Sequence, residues 1–131
     1  MPLVILIVFL GSFASFAAHA SDQPSPWPPY RCRDAAGLED KPGTYSGFYE
    51  AEFEGSSFKL SHSPCEVWLT GDVCPIFGKD NCHKGAQVKA YVTVEGTFSP
   101  SGQFGHLGMW ERELRVTRVL EVHRIPQGKQ K

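Results

Sequence analysis

One short stretch combines a titratable side chain with regularly spaced glycines: Gly102-Gln103-Phe104-Gly105-His106-Leu107-Gly108. Glycine permits positive φ angles and close backbone approach, so Gly105 and Gly108 predict a tightly turned loop. His106 could there bind a ligand or donate a proton near neutral pH. The glycines do not fit a phosphate-binding loop, because their spacing is wrong and no Gly-Lys-Ser/Thr follows. The sequence favours the simpler interpretation, a tight connection held by its apolar side chains.

The cysteines and two other histidines form a second set with metal-ligating side chains: His62, Cys65, Cys74, Cys82 and His83. Their spacing contains no C-x-x-C pair, and the adjacent Cys82 and His83 are poorly placed to bind one ion together. We therefore predict no bound metal and no cofactor. In an exported protein, an even number of cysteines predicts disulfides instead.

Four cysteines allow three pairings, and spacing does not select one of them. We favour Cys74 with Cys82, which closes a short loop, and Cys32 with Cys65, which ties the N-terminal segment to the rest of the domain. Each disulfide is expected to stabilise the fold by about 2–4 kcal/mol.

No arrangement of side chains in the sequence identifies an enzyme. Glu50, Glu52 and Glu54 alternate along one predicted strand, and this pattern is typical of a solvated face. General acid–base catalysis needs two carboxylates in different environments, whereas these three look alike. The sequence also lacks a G-x-S-x-G nucleophile motif. We therefore predict no catalytic residue.

The first 20 residues predict a secretory signal peptide. Val4 to Leu10 is an apolar run, small residues follow it, and Ala18-His19-Ala20 fits a cleavage site after Ala20. The run is shorter than the roughly 20 apolar residues that a membrane-spanning helix needs. We therefore expect a periplasmic or secreted protein with no stable membrane span after cleavage.

Residue alternation places the elements that would position these side chains. Period-two patterns predict a hairpin from Tyr45 to Leu60 with its turn at 55–57, and further strands at 66–70 and 88–98. The segment from Arg112 to His123 is ambiguous. Its β-branched residues favour a strand with a bulge, whereas a stripe from Trp110 to Val119 would suit a helix.

About five strands and little helix predict an all-β domain. We expect a small closed or partly open barrel, OB-like, with a small β-sandwich as the alternative. The chain then divides into a signal peptide (1–20), a proline-rich extended leader (21–43), the barrel (44–125) and a flexible tail (126–131). Residues 71–87 are expected to form a long loop closed by a disulfide.

Two neighbouring runs resemble a pattern found in small exported bacterial proteins of uncharacterised function. They are Val94-Glu95-Gly96-Thr97-Phe98-Ser99-Pro100-Ser101-Gly102, and Gly105-His106-Leu107-Gly108 followed by Arg112-Glu113-Leu114-Arg115-Val116. The resemblance rests on G-H-L-G followed by R-E-L. It implies a small, exported, β-rich protein and brings no activity or catalytic residue with it.

The function that these patterns favour is a non-enzymatic module that binds an exported protein or a small ligand. The expected binding residues are Gly105, His106, Gly108, Trp68, Tyr91 and Trp110. A first alternative is a small metal-dependent or histidine-assisted hydrolase that uses His106 with His62 or His83.

A second alternative is a barrel that binds single-stranded nucleic acid. Its basic edge would consist of Arg112, Arg115, Arg118, Arg124, Lys129 and Lys131. The net charge of −1 and the pI of about 6.5 argue against this alternative.

Overall fold

The structure is a computed structural model that describes residues 26–78, 82 and 86–126. The predicted signal peptide, the beginning of the predicted leader, His83, Lys129 and Lys131 lie outside the described residues, as does most of the predicted tail.

The described residues form five strands, one short α-helix and two 3-10 turns. The strands are β1 (Pro42–Glu52), β2 (Gly55–Leu60), β3 (Glu66–Gly71), β4 (Val88–Phe98) and β5 (Glu113–Arg124). The helix α1 (Cys74–Phe77) lies between β3 and β4, and the 3-10 turns are Arg33–Ala35 and His106–Gly108. The predicted all-β class is confirmed.

The five strands form one sheet that closes on itself in the order β1-β2-β3-β5-β4. Antiparallel pairing between β1 and β4 completes the ring. The ring is uneven, because β5 pairs with β4 along most of its length but meets β3, in parallel, only from Glu113 to Val116. The predicted small barrel is therefore confirmed, with one short seam.

The β1–β2 hairpin forms where alternation predicts it, but its turn differs from the prediction. Gly55 already pairs with Glu52, so the turn consists of Phe53 and Glu54 and not of residues 55–57. A two-residue turn suits the twist of an antiparallel pair, and this preference outweighed the turn-forming composition of Gly-Ser-Ser. As a result, Glu54 stands at the tip of the hairpin and not on the face of β1.

The ambiguous segment is the strand β5, and it contains two bulges. Thr117 and Leu120 have no partner on β4 in the register that joins the two strands. Each bulge reverses the alternation, so Val116, Val119 and Val122 all turn towards the core although they are three residues apart and not two. Two parity changes explain why the sequence pattern fits neither a regular strand nor a helix.

The core consists of inward-facing side chains from all five strands together with α1 and the N-terminal segment. Its fully buried members include Tyr49, Phe58, Val67, Leu69, Ile76, Val94, Phe98, Leu114 and Val116. Cys32 and Ala35 are buried in the same cluster. The second half of the predicted leader therefore packs against the barrel, and β1 already begins at Pro42, two residues before the predicted start of the barrel at 44.

Both predicted disulfides are present, Cys32–Cys65 and Cys74–Cys82. The first fixes the N-terminal segment at the start of β3, and the second closes the connection that follows α1. Two disulfides indicate an oxidising, exported environment. Within residues 26–78, 82 and 86–126, no helix has the length and apolar character that crossing a membrane would require.

Candidate binding site

The glycine-spaced segment forms a closed loop, which we call the histidine loop (residues 104–110). Phe104 and Trp110 exchange backbone hydrogen bonds at its base, with N···O distances of 2.8 and 3.2 Å. Between them Gly105 and Gly108 have φ angles of 72° and 63°. Leu107 has a φ of 57°. Left-handed backbone at three of four successive residues explains why glycine recurs here.

Aromatic side chains form the floor beneath the histidine loop. The ring centroids of Trp68, on β3, and Trp110 are 4.7 Å apart. Gly105 lies directly on these indoles, and a Cβ at this position would stand 2.9 Å from Cε3 of Trp110 and closer still to the ring of Trp68. Gly105 is therefore required both by its backbone angles and by contact.

The N-terminal segment packs against Trp110 through Tyr30. Tyr30 stacks on Trp110 with ring centroids 4.9 Å apart. The Tyr30 backbone N–H donates to the Met109 carbonyl at 3.1 Å, and the Glu111 N–H donates to the Tyr30 carbonyl at 2.8 Å. The Cys32–Cys65 disulfide, two residues further along, holds this segment in place.

His106 connects the histidine loop to the tip of the β1–β2 hairpin. Its Nε2 lies 3.3 Å from a carboxylate oxygen of Glu54, and both side chains are about half exposed. His106 and Glu54 line two adjacent clefts, one at the mouth of the barrel and one beside it. Their contact forms a bridge between these clefts.

The cleft at the barrel mouth has a volume of about 520 Å³. Its apolar wall includes Tyr49, Phe77 and Trp68. It opens where β2 and β3 separate, because the two strands pair only from Ser57 to Lys59 on the β2 side. The Tyr49 hydroxyl is 2.8 Å from the Ser56 hydroxyl, which in turn donates to the Leu69 carbonyl at 2.8 Å. Volumes of this order are typical of small-molecule sites.

The second cleft, of about 290 Å³, is acidic and aromatic. We call it the acidic cleft, and its described lining is Tyr30, Glu50, Glu52, Glu54, Gly55, Ser57, His106, Met109 and Trp110. None of these lining residues is Lys or Arg. Among the described residues, one ion pair lies on its strand wall and joins Glu50 to Lys89 at 3.5 Å, with both side chains well exposed. Such a pair screens the carboxylate only weakly.

Trp110, which lines the acidic cleft, carries an unpaired polar group. The side chain is buried, with 6% of its surface exposed. Its indole Nε1 has no hydrogen-bond partner in the described part of the chain. Buried donors are nearly always paired, so an unpaired donor on a residue that lines a cleft indicates a place where a ligand could supply the acceptor.

The structure brings together most, but not all, of the predicted binding residues. Gly105, His106, Trp68 and Trp110 lie in contact or line adjoining clefts. Gly108 closes the histidine loop, its N–H donating to the Gly105 carbonyl at 3.1 Å.

Tyr91 lies apart from this group. It lies on the outer face of β4, with its ring 5.3 Å from that of Phe48, and it lines neither cleft. The reason is parity: Ala90 and Val92, its neighbours along β4, are buried, so the residue between them faces outward.

Two residues of the site, Glu54 and Tyr30, escaped the sequence interpretation. Alternation predicts Glu54 as one of three equivalent strand carboxylates, because it places the hairpin turn two residues too late. The proline content predicts Tyr30 as part of an extended leader. An aromatic residue two positions before a cysteine was the available signal, since a disulfide at Cys32 draws its neighbours onto the domain.

Arg112 does not form part of a basic edge. It is buried, and its Nη1 donates to Glu39 Oε1 at 2.7 Å and to the Ser99 carbonyl at 3.2 Å. The pKa of Glu39 is lowered, first by a hydrogen bond from its own backbone N–H and then by the one from Arg112. The arginine of the R-E-L motif thus fixes the segment after β4 to the N-terminal region.

His62 and His106, which the hydrolase alternative names, lie in different connections of the barrel. In the described ranges no group of three or more His, Cys, Asp or Glu side chains is placed to hold a metal ion. His62 lies in the β2–β3 connection with a φ of 60°. His106 pairs with a carboxylate, while Ser56 and Ser57 of the adjoining clefts donate to Leu69 and Glu66.

No family model, curated protein or solved structure matches the chain.

Proposed function

We propose that the protein is an exported, non-enzymatic binding module that holds a ligand or partner at the histidine loop. One observation carries this proposal: the His106–Glu54 bridge lies between two clefts, each of which has a tryptophan in its wall. Concave sites with an aromatic lining and few convergent polar groups are the usual form of binding sites in proteins.

The arrangement of the strands supports the same location. Five strands in the order β1-β2-β3-β5-β4, with a helix between β3 and β4, fit an OB-like barrel. Barrels of this type bind ligands on the face of the second and third strands and through the loops that follow the first and fourth. The His106–Glu54 bridge joins these two loops here, and Trp68 and Ser57 lie on the two strands.

The predicted export also belongs to this proposal. The two disulfides support an oxidising compartment, and a signal peptide would deliver the chain there. The mass of the protein purified from a secreting host tests it: removal of residues 1–20 is expected, and an intact N-terminus would contradict it.

Binding can be tested without knowledge of the natural ligand. A library of small aromatic, aliphatic and charged fragments is added to the ¹⁵N-labelled, oxidised protein. We expect fragments to shift the indole N–H signals of Trp68 and Trp110 and the backbone signal of His106. Trp27, outside both clefts, serves as the internal control.

A second cleft elsewhere provides the contrasting outcome. It is lined by Cys74, Pro75, Gly78, Cys82 and Arg124 and has a volume of about 460 Å³. Fragments that shift only the signals of these residues, or no signals at all, would overturn the proposed site.

The nucleic-acid alternative predicts salt-sensitive binding to a single-stranded oligonucleotide. The three carboxylates in the acidic cleft would repel a phosphate backbone, so we expect the oligonucleotide not to bind at low salt. Binding of a single-stranded oligonucleotide that shifts the tryptophan signals would favour the alternative.

A further inference from the structure

We propose that the acidic cleft binds an extended, basic polypeptide segment of a partner protein, in which cationic side chains alternate with apolar ones. This inference rests on the proposed function and names the class of its partner. It depends on the charge of the cleft, its aromatic wall with an unpaired donor, and the apolar rim above it.

The charge of the cleft selects for cations. Glu50, Glu52 and Glu54 all line it, and no described lining residue is Lys or Arg. Glu52 forms no ion pair among the described residues. A fourth carboxylate, Glu66, lies next to the cleft and accepts a hydrogen bond from Ser57 at 2.5 Å. A cationic side chain would therefore meet several carboxylates, of which Glu50 already pairs with Lys89 and Glu66 lies opposite Lys59.

The spacing of the carboxylates fits an extended chain. Glu50 and Glu52 lie two residues apart on the same face of β1, which corresponds to about 7 Å along a strand. Alternate side chains of an extended peptide repeat at the same distance. A segment with basic residues at every second position would thus place successive cations opposite successive carboxylates.

The aromatic wall provides two further contacts. Tyr30, which lines the cleft and stacks on the buried Trp110, can hold a guanidinium or ammonium group by cation–π attraction. The Trp110 Nε1 is a buried donor without an acceptor. This N–H is enclosed, so an acceptor reaches it only if the indole shifts. A peptide carries a carbonyl acceptor at every residue, whereas a simple amine carries none, so such a shift would favour a polypeptide over a polyamine.

The rim beside the cleft is apolar. Phe53 and Leu107 are 72% and 71% exposed, and each adjoins one member of the His106–Glu54 bridge. Leu107 is exposed and has a backbone φ of 57°, a conformation that residues other than glycine rarely adopt. Single exposed apolar residues are common, but two at one rim next to a charged cleft form a surface for an amphipathic segment.

The experiment uses synthetic peptides and the oxidised protein with Trp27→Phe, so that Trp68 and Trp110 report binding by fluorescence. The probe is acetyl-(Arg-Val)₃-amide, and the matched control peptide has glutamate in place of arginine. We expect the basic peptide to quench the fluorescence and the acidic peptide to have no effect.

Matched protein variants then locate the contact. Glu52→Gln is expected to weaken binding of the basic peptide by about two- to fivefold, as for a partly exposed ion pair. Glu121→Gln changes the net charge equally but lies on β5, where Glu121 pairs with His123. We expect this control to bind like the unmodified protein. Equal weakening by both substitutions would overturn the proposal, because it would indicate unspecific attraction.

The remaining outcomes separate this inference from the function on which it rests. If fragments shift Trp68 and Trp110 but the basic peptide does not bind, the partner class is wrong and the binding site stands. If neither binds, both are wrong. If spermidine quenches the fluorescence as strongly as the peptide does, the proposal of a polypeptide partner is wrong. If light scattering shows a dimer that the Glu52→Gln substitution dissociates, the cleft binds a second copy of this chain and the proposal of a separate partner protein is wrong.

Discussion

Gly105 lies so close to the indole of Trp68 that the two residues form one packing unit between the histidine loop and β3. A Cβ on Gly105 would overlap the six-membered ring of Trp68, and the φ of 72° already disfavours any other residue. The loop therefore owes its position to contact with the barrel and its shape to glycine.

Substitution of Gly105 by alanine is expected to lower the free energy of unfolding by about 2–4 kcal/mol, through backbone strain and overlap together. Gly37 is the matched control, since its φ of 84° is similar but a Cβ there would meet nothing within 4 Å. Gly37→Ala should cost about 1 kcal/mol. Urea unfolding measures both, and equal losses would show that contact with Trp68 contributes nothing.

The ion pair between Glu39 and Arg112 predicts a dependence of stability on acid pH. Hydrogen bonds from the Glu39 backbone and from Arg112 lower the pKa of Glu39 below its ordinary value of 4.5. The folded state thus binds this proton more weakly than the unfolded state. The stabilisation is complete above pH 4.5 and is lost as the pH falls through the lowered pKa.

Glu39→Gln should destabilise the protein at neutral pH and flatten this acid dependence. Chemical unfolding between pH 2.5 and 7 checks it, with the exposed Glu121→Gln as the control variant. An unchanged acid dependence in Glu39→Gln would assign the effect to other carboxylates.

Tyr49 predicts a loss of stability at alkaline pH. Burial raises the pKa of Tyr49 above its ordinary value of 10.0, although the hydrogen bond with Ser56 reduces the shift. The folded state keeps this proton more tightly, so the contribution to stability is intact below pH 10 and decreases as the pH rises above it. Tyr49→Phe should weaken this alkaline loss, and Ser56→Ala, which keeps the phenol, should retain it. Thermal unfolding between pH 8 and 11.5 distinguishes these outcomes.

The two disulfides are expected to differ in their contribution. They span 33 and 8 residues, respectively. The restriction of the unfolded chain then gives about 4 kcal/mol for Cys32–Cys65 and about 2.5 kcal/mol for Cys74–Cys82. Paired replacement by alanine, followed by urea unfolding, measures each contribution. A larger loss on removal of Cys74–Cys82 would show that the N-terminal segment holds to the barrel without its disulfide.

Removal of Cys32–Cys65 should also disturb the binding site. Tyr30 lies two residues from Cys32 and stacks on Trp110, so its release would open one side of the acidic cleft. The fluorescence of Trp110 in the Trp27→Phe background reports this change. The alanine pair at Cys74 and Cys82 is the matched control, because neither cysteine lines that cleft.

The sequence by itself determined the local features of this protein. Alternation placed β4 from Val88 to Phe98, because one inward and one outward face leave a period of two. The β-branched residues and the broken parity of 112–123 favoured a bulged strand over a helix, and the structure has that strand. The sequence did not determine the cysteine pairing, because four cysteines allow three pairings. The favoured pairs, Cys32–Cys65 and Cys74–Cys82, are the ones that the structure contains.

Only the tertiary structure decided which residues meet. The parallel contact of β5 with β3 joins segments more than 40 residues apart, and nothing in the local pattern of either strand encodes it. The same closure brings His106 to Glu54 and Trp68 to Trp110. It separates Tyr91 from them and turns Arg112 inward to Glu39. Period and composition fix which face of a strand is buried, whereas the partner across the barrel depends on how the whole sheet closes.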